Sequence, residues 1–175
     1  MSYATKEIKR LMGKAIHTHK MIRDGDHVMV AVSGGKDSVA LLWLLSERIK
    51  RIPIEYRITA VHVDPGFGAN SAGQMESFFL GNGFPCFLCS RLRRKLLFEL
   101  AAEIGCNRIA FGHHKDDLIE TFFLNVFYGA SISTMLPVQE FFEGEFTVIR
   151  PLYLVDEGMV RRYAQTMGWD EIKLG

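Results

Sequence analysis

Ser33-Gly34-Gly35-Lys36-Asp37-Ser38 stands between two apolar runs, residues 28–32 and 39–45, an order that reads as strand, anion-binding loop and helix. Two adjacent glycines let the backbone turn its N–H groups toward an anion without Cβ interference, and the helix that follows adds the positive end of its dipole. The chemistry this suits is the cradling of a pyrophosphate, which points to ATP. It is not the common nucleotide loop: the glycine needed five residues before Gly35 is Val30, and Lys36 is followed by Asp37 rather than Ser or Thr. Ordinary transfer of the γ-phosphate is therefore not the expected reaction.

Two further polar clusters follow apolar strand-like segments: His62, Val63 and Asp64, then Gly112-His113-His114-Lys115-Asp116-Asp117. In an open parallel sheet ligands lie beyond the carboxyl ends of the strands, so these clusters and the glycine loop converge. Lys36 can neutralise phosphate charge, while Asp37, Asp116 and Asp117 offer hard oxygens to a Mg²⁺ ion carried on a triphosphate. His113 and His114 can orient a phosphate or a base. An Asp-Asp pair before a helix also serves as an N-cap, and His62 reads equally as packing or as a nucleotide contact. Cys86 and Cys89 have the spacing of half a metal or iron–sulfur site and precede the basic residues Arg91, Arg93, Arg94 and Lys95. A closed zinc site wants four ligands and a cluster three or four thiolates, so the rest must come from elsewhere; a redox-active or incidental pair is the alternative. Cys106 reads as a small buried hydrophobe.

The elements that must position these groups follow from periodicity. With 175 residues and 48% hydrophobic content, the chain can bury one good core, and strands that are apolar throughout, separated by helices, predict a three-layer α/β/α domain with a mostly parallel sheet. Helices are expected over 5–22, 37–49, 71–80, 89–104, 117–128 and 157–167, and strands over 27–32, 57–63, 108–112 and 147–150. Residues 1–24 read as a basic amphipathic helix and 25–175 as the ATP-binding domain. After the helix ending near Leu80 a doubly wound sheet needs another strand, yet Gly81-Asn82-Gly83-Phe84 runs straight into Pro85-Cys86. The expectation is that residues are missing between about 83 and 89. No apolar run approaches the ~18 residues of a membrane span, the first ten residues are polar and basic, and three cysteines make no disulfide framework, so a cytoplasmic protein with no membrane partner is expected. Residues 1–23 carry six basic side chains against Glu7 alone, whereas 140–175 carry seven acids against four bases. The basic end is either a solvated helix face or a contact surface for an RNA backbone.

The residues also resemble a known family. Ser33 to Ser38 match the signature of the PP-loop ATP pyrophosphatases. Pro85-Cys-Phe-Leu-Cys-Ser-Arg-Leu-Arg-Arg94, Gly112-His-His-Lys-Asp-Asp-Leu-Ile-Glu-Thr121, Asn125-Val-Phe-Tyr-Gly129 and Val148-Ile-Arg-Pro-Leu152 are similar to the tRNA 2-thiocytidine synthetase group. Lysidine synthetases share the first signature but not the Cys-x-x-Cys string. The resemblance implies the N-type ATP pyrophosphatase fold, with ATP bound by Ser33, Gly34, Gly35, Lys36, Asp37, Ser38, His62, Val63, Gly112, His113 and Asp116, and with Lys36, Asp37 and Asp117 in catalysis. It implies adenylation of the C2 carbonyl of an anticodon-loop cytidine, release of pyrophosphate and replacement of oxygen by sulfur. It further implies a tRNA partner, a sulfur donor, Mg²⁺, and a [4Fe-4S] cluster, or alternatively Zn²⁺, at Cys86 and Cys89, and it is compatible with a homodimer. The family's further cysteine, downstream of Val148 to Leu152, has no counterpart before Gly175, so the domain is expected to continue. Two other readings stay open: a PP-loop ligase with an amine nucleophile, for which the cysteines are idle, and a nucleotide-binding module without catalysis.

Overall fold

The computed structural model describes residues 3–63, 81, 86–89 and 94–169. His27–Val32 (β1) is buried at all but one position, as a strand with helices on both faces must be. Arg57–Val63 (β2) lies parallel to it, from His27 opposite Arg57 to Val32 opposite His62. Cys86–Cys89 (β3) lies parallel beyond β2. On the other side of β1 come Arg108–Ala110 (β4), then Phe146–Ile149 (β6), then Val138–Phe141 (β5), which pairs antiparallel with β6. The described residues thus form a six-stranded sheet in the order β3-β2-β1-β4-β6-β5. The chain winds outward from β1 in one direction and from β4 in the other. The crevice between their carboxyl ends is the switch point at which such sheets bind ligands.

Tyr3–Thr18 (α1), Lys36–Ile49 (α2) and Glu157–Thr166 (α5) cover one face of the sheet, and Arg94–Glu103 (α3) covers the other. Because side chains alternate along a strand, Val28, Val30 and Val32 pack with Ile8, Leu41 and Tyr163, while Met29 packs with Val61, Leu97 and Ala101 on the opposite side. This is the three-layer α/β/α arrangement expected from the alternation. Truncating a fully buried side chain such as Leu41 (0% exposed) to alanine costs about 2–5 kcal/mol.

Several elements depart from the sequence reading. α1 stops at Thr18, four residues early, because Lys20 takes the left-handed conformation (φ 49°). That reversal returns Met21 to the core, with its N–H bonded to the Ile16 carbonyl at 3.0 Å. Cys86–Cys89 form a strand, so the next helix is Arg94–Glu103 and does not begin at Cys89; of the stretch over which residues are expected to be missing, 82–85 lie outside the described residues. β5 was not expected at all. It forms a hairpin with β6 across Phe142–Gly144, where Glu143 (φ 55°) and Gly144 (φ 92°) are left-handed. The helix expected over 71–80 lies outside the described residues.

Lys115–Tyr128 (α4) carries no buried side chain. Ile119, Phe123, Leu124, Phe127 and Tyr128, with the following Ile132 and Leu136, are 44–88% exposed. None of the helices among the described residues is long and apolar enough to cross a membrane.

Candidate active site

The loop between β1 and α2 is braced by its own hydroxyls. Ser38 Oγ donates to the Gly35 carbonyl (2.9 Å) and accepts the Ser33 N–H (3.2 Å), while Ser33 Oγ accepts the Gly35 N–H (3.3 Å). Gly34 sits at φ 93°, a conformation that L side chains rarely adopt. Gly35 is the N-cap of α2 in extended conformation, with no side chain capping the helix. The first N–H groups of α2 therefore open toward the crevice, which suits an anion.

Opposite this loop runs the segment after β4. A Cβ on Gly112 would stand 2.9 Å from the carbonyl carbon of Asp37 and from the Ser38 nitrogen. Only a glycine lets the two loops come this close. Ala31, Val61, Leu97, Phe111, His113 and Asp117 help line the cleft so formed, of about 250 Å³, together with Ser33, Asp37, Ser38 and Gly112. His113 stacks on Phe111 with ring centroids 5.5 Å apart. The apolar walls and few polar groups suit a nucleoside with its phosphates at the loop.

His114 is buried (6% exposed) amid three carboxylates: its ring nitrogens lie 3.3 Å from Asp117 Oδ2, 3.6 Å from Asp116 Oδ2 and 4.0 Å from Asp37 Oδ1. Asp117 Oδ2 accepts the His114 N–H (2.7 Å) and so caps α4, whereas Asp116 Oδ2 accepts the Glu157 N–H (2.7 Å) at the start of α5. One oxygen of each is thereby committed to structure. Asp37 Oδ1, by contrast, is buried without a hydrogen-bond partner. Lys36 Nζ lies 3.1 Å from Glu157 Oε1 and 3.6 Å from Asp37 Oδ2. Burial works against the charged Lys36 ammonium, but its hydrogen bond to Glu157 and the two nearby carboxylates outweigh that and raise its pKa. The same bond holds the Glu157 carboxyl below the ordinary range.

The remaining candidates lie on β2 and β3 and before β4. His62 is 2% exposed and its Nδ1–H donates to the Val32 carbonyl at 2.8 Å. Its neighbour Val61, and not His62 itself, lines the cleft. Val63 is the last residue of β2, paired with Cys89. Cys86 and Cys89 occupy both ends of β3, opposite Ala60 and Val63. Three steps along a strand separate Cα atoms by ~10 Å. Cys106 is buried before β4, where burial pushes its thiol up to about 12. The described residues hold no group of three or more His, Cys, Asp or Glu able to bind a metal ion.

Sequence reasoning left Glu157, Arg161 and Phe111 out, and His114 was noted without a distinct role. Glu157 lies 121 residues from Lys36 in the chain, and no local spacing signals their pairing.

The PP-loop domain family ATP_bind_3 matches residues 3–78 and 89–171. A tRNA-cytidine(32) 2-sulfurtransferase of Syntrophotalea carbinolica is 40% identical, with 97% of this chain and 74% of that protein aligned over 192 positions. That length exceeds what the chain supplies, so the relative carries residues without a counterpart here. The enzyme of the same name from Alkalilimnicola ehrlichii is 41% identical over 94% of this chain and 59% of its own length. Among solved structures, the U34-tRNA thiolase NcsA from Methanococcus maripaludis with its [4Fe-4S] cluster shares the fold, with a TM-score of 0.76 at 22% identity over 95% of this chain and 64% of that one. The signature loop at the switch point, the glycine that seats it and this extent of identity agree: the chain belongs to the PP-loop family, in the group of tRNA-cytidine(32) 2-sulfurtransferases.

Proposed function

We propose that this chain is the ATP-activating domain of a tRNA sulfurtransferase that converts cytidine to 2-thiocytidine. The observation that carries the proposal is the meeting of the glycine loop, through Ser33, Asp37 and Ser38, with the 112–117 segment across one cleft, with Lys36 next to Asp37 and paired to Glu157. ATP lies with its adenosine against Phe111 and Val61 and its phosphates on the N-terminus of α2. The C2 oxygen of the cytidine attacks the α-phosphorus, the bond to the β-phosphate oxygen breaks, and pyrophosphate leaves. A sulfur nucleophile from a donor then adds at C2, and AMP departs with the former carbonyl oxygen. Fixed N–H groups and the Lys36 ammonium stabilise the charge that develops on the phosphates.

Mg²⁺ fits this cleft. Such an ion is held by one or two carboxylates together with substrate phosphates, and the unpartnered Asp37 Oδ1 beside Asp117 supplies that share. It would neutralise triphosphate charge. Toward a [4Fe-4S] cluster, or Zn²⁺, this chain would offer Cys86 and Cys89 at the two ends of β3, and the described residues hold no group of three ligands that would complete such a site. No step is routed through either, and Cys86 and Cys89 remain candidates for handling sulfur.

Lys6, Arg10, Lys14 and His17 form one exposed stripe along α1, the face proposed to follow the tRNA backbone; Lys9 is turned away to pair with Glu47 at 2.6 Å. A second copy of the chain is proposed to cover α4. Residues 119–137 hold Glu120 as their one charge, which disfavours RNA there, and the seven exposed apolar side chains present on the order of 900 Å², close to the ~800 Å² each partner buries in a standard interface. Light scattering is expected to show a dimer that Phe127→Glu dissociates; a wild-type monomer contradicts this.

The test of the main proposal is tRNA-dependent cleavage of ATP to AMP and pyrophosphate. Retention of full activity by Cys86→Ser and Cys89→Ser would instead support an amine nucleophile.

A further inference from the structure

Lys36, next to the cleft-lining Asp37, is not free. Its ammonium is paired with Glu157 Oε1 at 3.1 Å, and the same oxygen accepts from Arg161 Nη2 at 3.0 Å, one helical turn further along α5. One carboxylate oxygen thus stands between two cations, one on the phosphate loop and one on the outer surface of α5. Arg161 belongs to no part of the cleft, and its side chain is 59% exposed. Glu157 reaches the loop because α5 begins at this residue, and that start is fixed from below by the bond between its main-chain N–H and Asp116 Oδ2.

We infer that Glu157 is a positioning residue for the ATP phosphates: it is the counter-ion that Lys36 exchanges for phosphate oxygen, and Arg161 holds the released carboxylate. The inference rests on the phosphate-loop reading given above. A carboxylate beside the loop repels a phosphate unless its charge is drawn off. With the pair Lys36–Glu157 closed, the loop loses its cation. With Glu157 turned to Arg161, the ammonium is available and the negative charge is balanced outside the cleft. When pyrophosphate is to leave, Glu157 competes for Lys36 again and assists release. The device therefore trades affinity for turnover, and the two cations that share Glu157 pull it in opposite directions.

That opposition gives a test by sign. Glu157→Gln removes the competing charge but keeps the main-chain N–H that bonds Asp116, so the start of α5 is preserved. Arg161→Ala removes the outer holder and leaves Glu157 to Lys36 alone. Inorganic pyrophosphate binding by calorimetry is expected to tighten about two- to fivefold in Glu157→Gln and to weaken by a similar factor in Arg161→Ala, the scale of an exposed ion pair. Both shifts should shrink at high salt, while adenosine, which does not reach Lys36, should bind all three proteins alike. In turnover, Glu157→Gln is expected to lower the KM for ATP and to slow pyrophosphate release. Unchanged or weakened pyrophosphate binding in Glu157→Gln, in a protein whose melting temperature matches the wild type, overturns the inference. Failure of the wild type itself to bind pyrophosphate overturns the phosphate-loop reading and this inference with it.

Discussion

Gly112→Ala places one methyl group where two loops meet. Gly112 does not occupy the left-handed region, so the backbone itself accepts an alanine and the whole cost comes from space. The new carbon would lie 2.9 Å from both the Asp37 carbonyl carbon and the Ser38 nitrogen, about half an ångström inside ordinary contact between non-bonded atoms. All of the nearest atoms are backbone, so no side chain can swing aside; either the 112–114 segment or the first turn of α2 must move. Overpacking of this kind costs about 1–3 kcal/mol, which in a chain of this size lowers the melting temperature by about 2–4 °C per kcal/mol. The same shift displaces the N–H groups of residues 36–38 from where phosphates must sit, and misplacement approaching 1 Å costs about 10²-fold in rate. Thermal unfolding and pyrophosphate release, measured on one preparation, are the assay. A variant as stable and as active as the wild type would show that the loops do not touch at Gly112, and the geometry of the cleft would have to be redrawn.

Lys36→Ala is expected to cut pyrophosphate release by about 10²–10³, as removal of a charge-stabilising donor does elsewhere, while unfolding in urea changes little because the lost ion pairs are partly exposed to solvent; normal release would remove Lys36 from catalysis. The Cys106 thiol, pushed up to about 12 by burial, should resist iodoacetamide at pH 8 in the folded protein and react in urea, as followed by mass spectrometry; labelling of the folded chain at the rate of an exposed thiol would contradict its placement. His27 is buried, with Nε2 2.8 Å from Thr59 Oγ1, and burial holds its pKa below the ordinary imidazole value of 6.5. The unfolded chain therefore takes up the proton first, so stability is complete above about pH 6.5 and falls below it. His27→Gln should flatten that part of the pH–stability curve; an unchanged slope would assign the acid sensitivity to other groups.

The phosphate loop was legible because its features are local: two glycines, a cation and an apolar strand and helix on either side suffice to define it. The placing of α2 and α5 was legible for a similar reason, since both carry helical periodicity and clear ends. β3 was missed because Cys86 to Cys89 read as metal ligands, and four residues carry too little alternation to declare a strand; only the open edge of β2 makes one of them. β5 was missed because Val138 to Phe141 mix polar and apolar residues and are held by pairing with β6. His62 could not be assigned from sequence, since its position on β2 is the same whichever face it takes, and the packing of Val61 against Leu97 decides the matter. Asp116 was legible as part of the site's loop, yet its bond to the Glu157 N–H arises from a contact 41 residues away. Long-range pairings of this kind, with Lys36 and Glu157 the most consequential, leave no trace in local spacing.

The central claim is tested most directly by nucleoside mass spectrometry of tRNA incubated anaerobically with this protein, ATP, Mg²⁺ and a sulfide source. The account predicts new 2-thiocytidine that depends on ATP and is lost in Lys36→Ala. Unmodified tRNA in a reaction that still yields AMP and pyrophosphate would contradict it, and would turn the search to a different nucleophile.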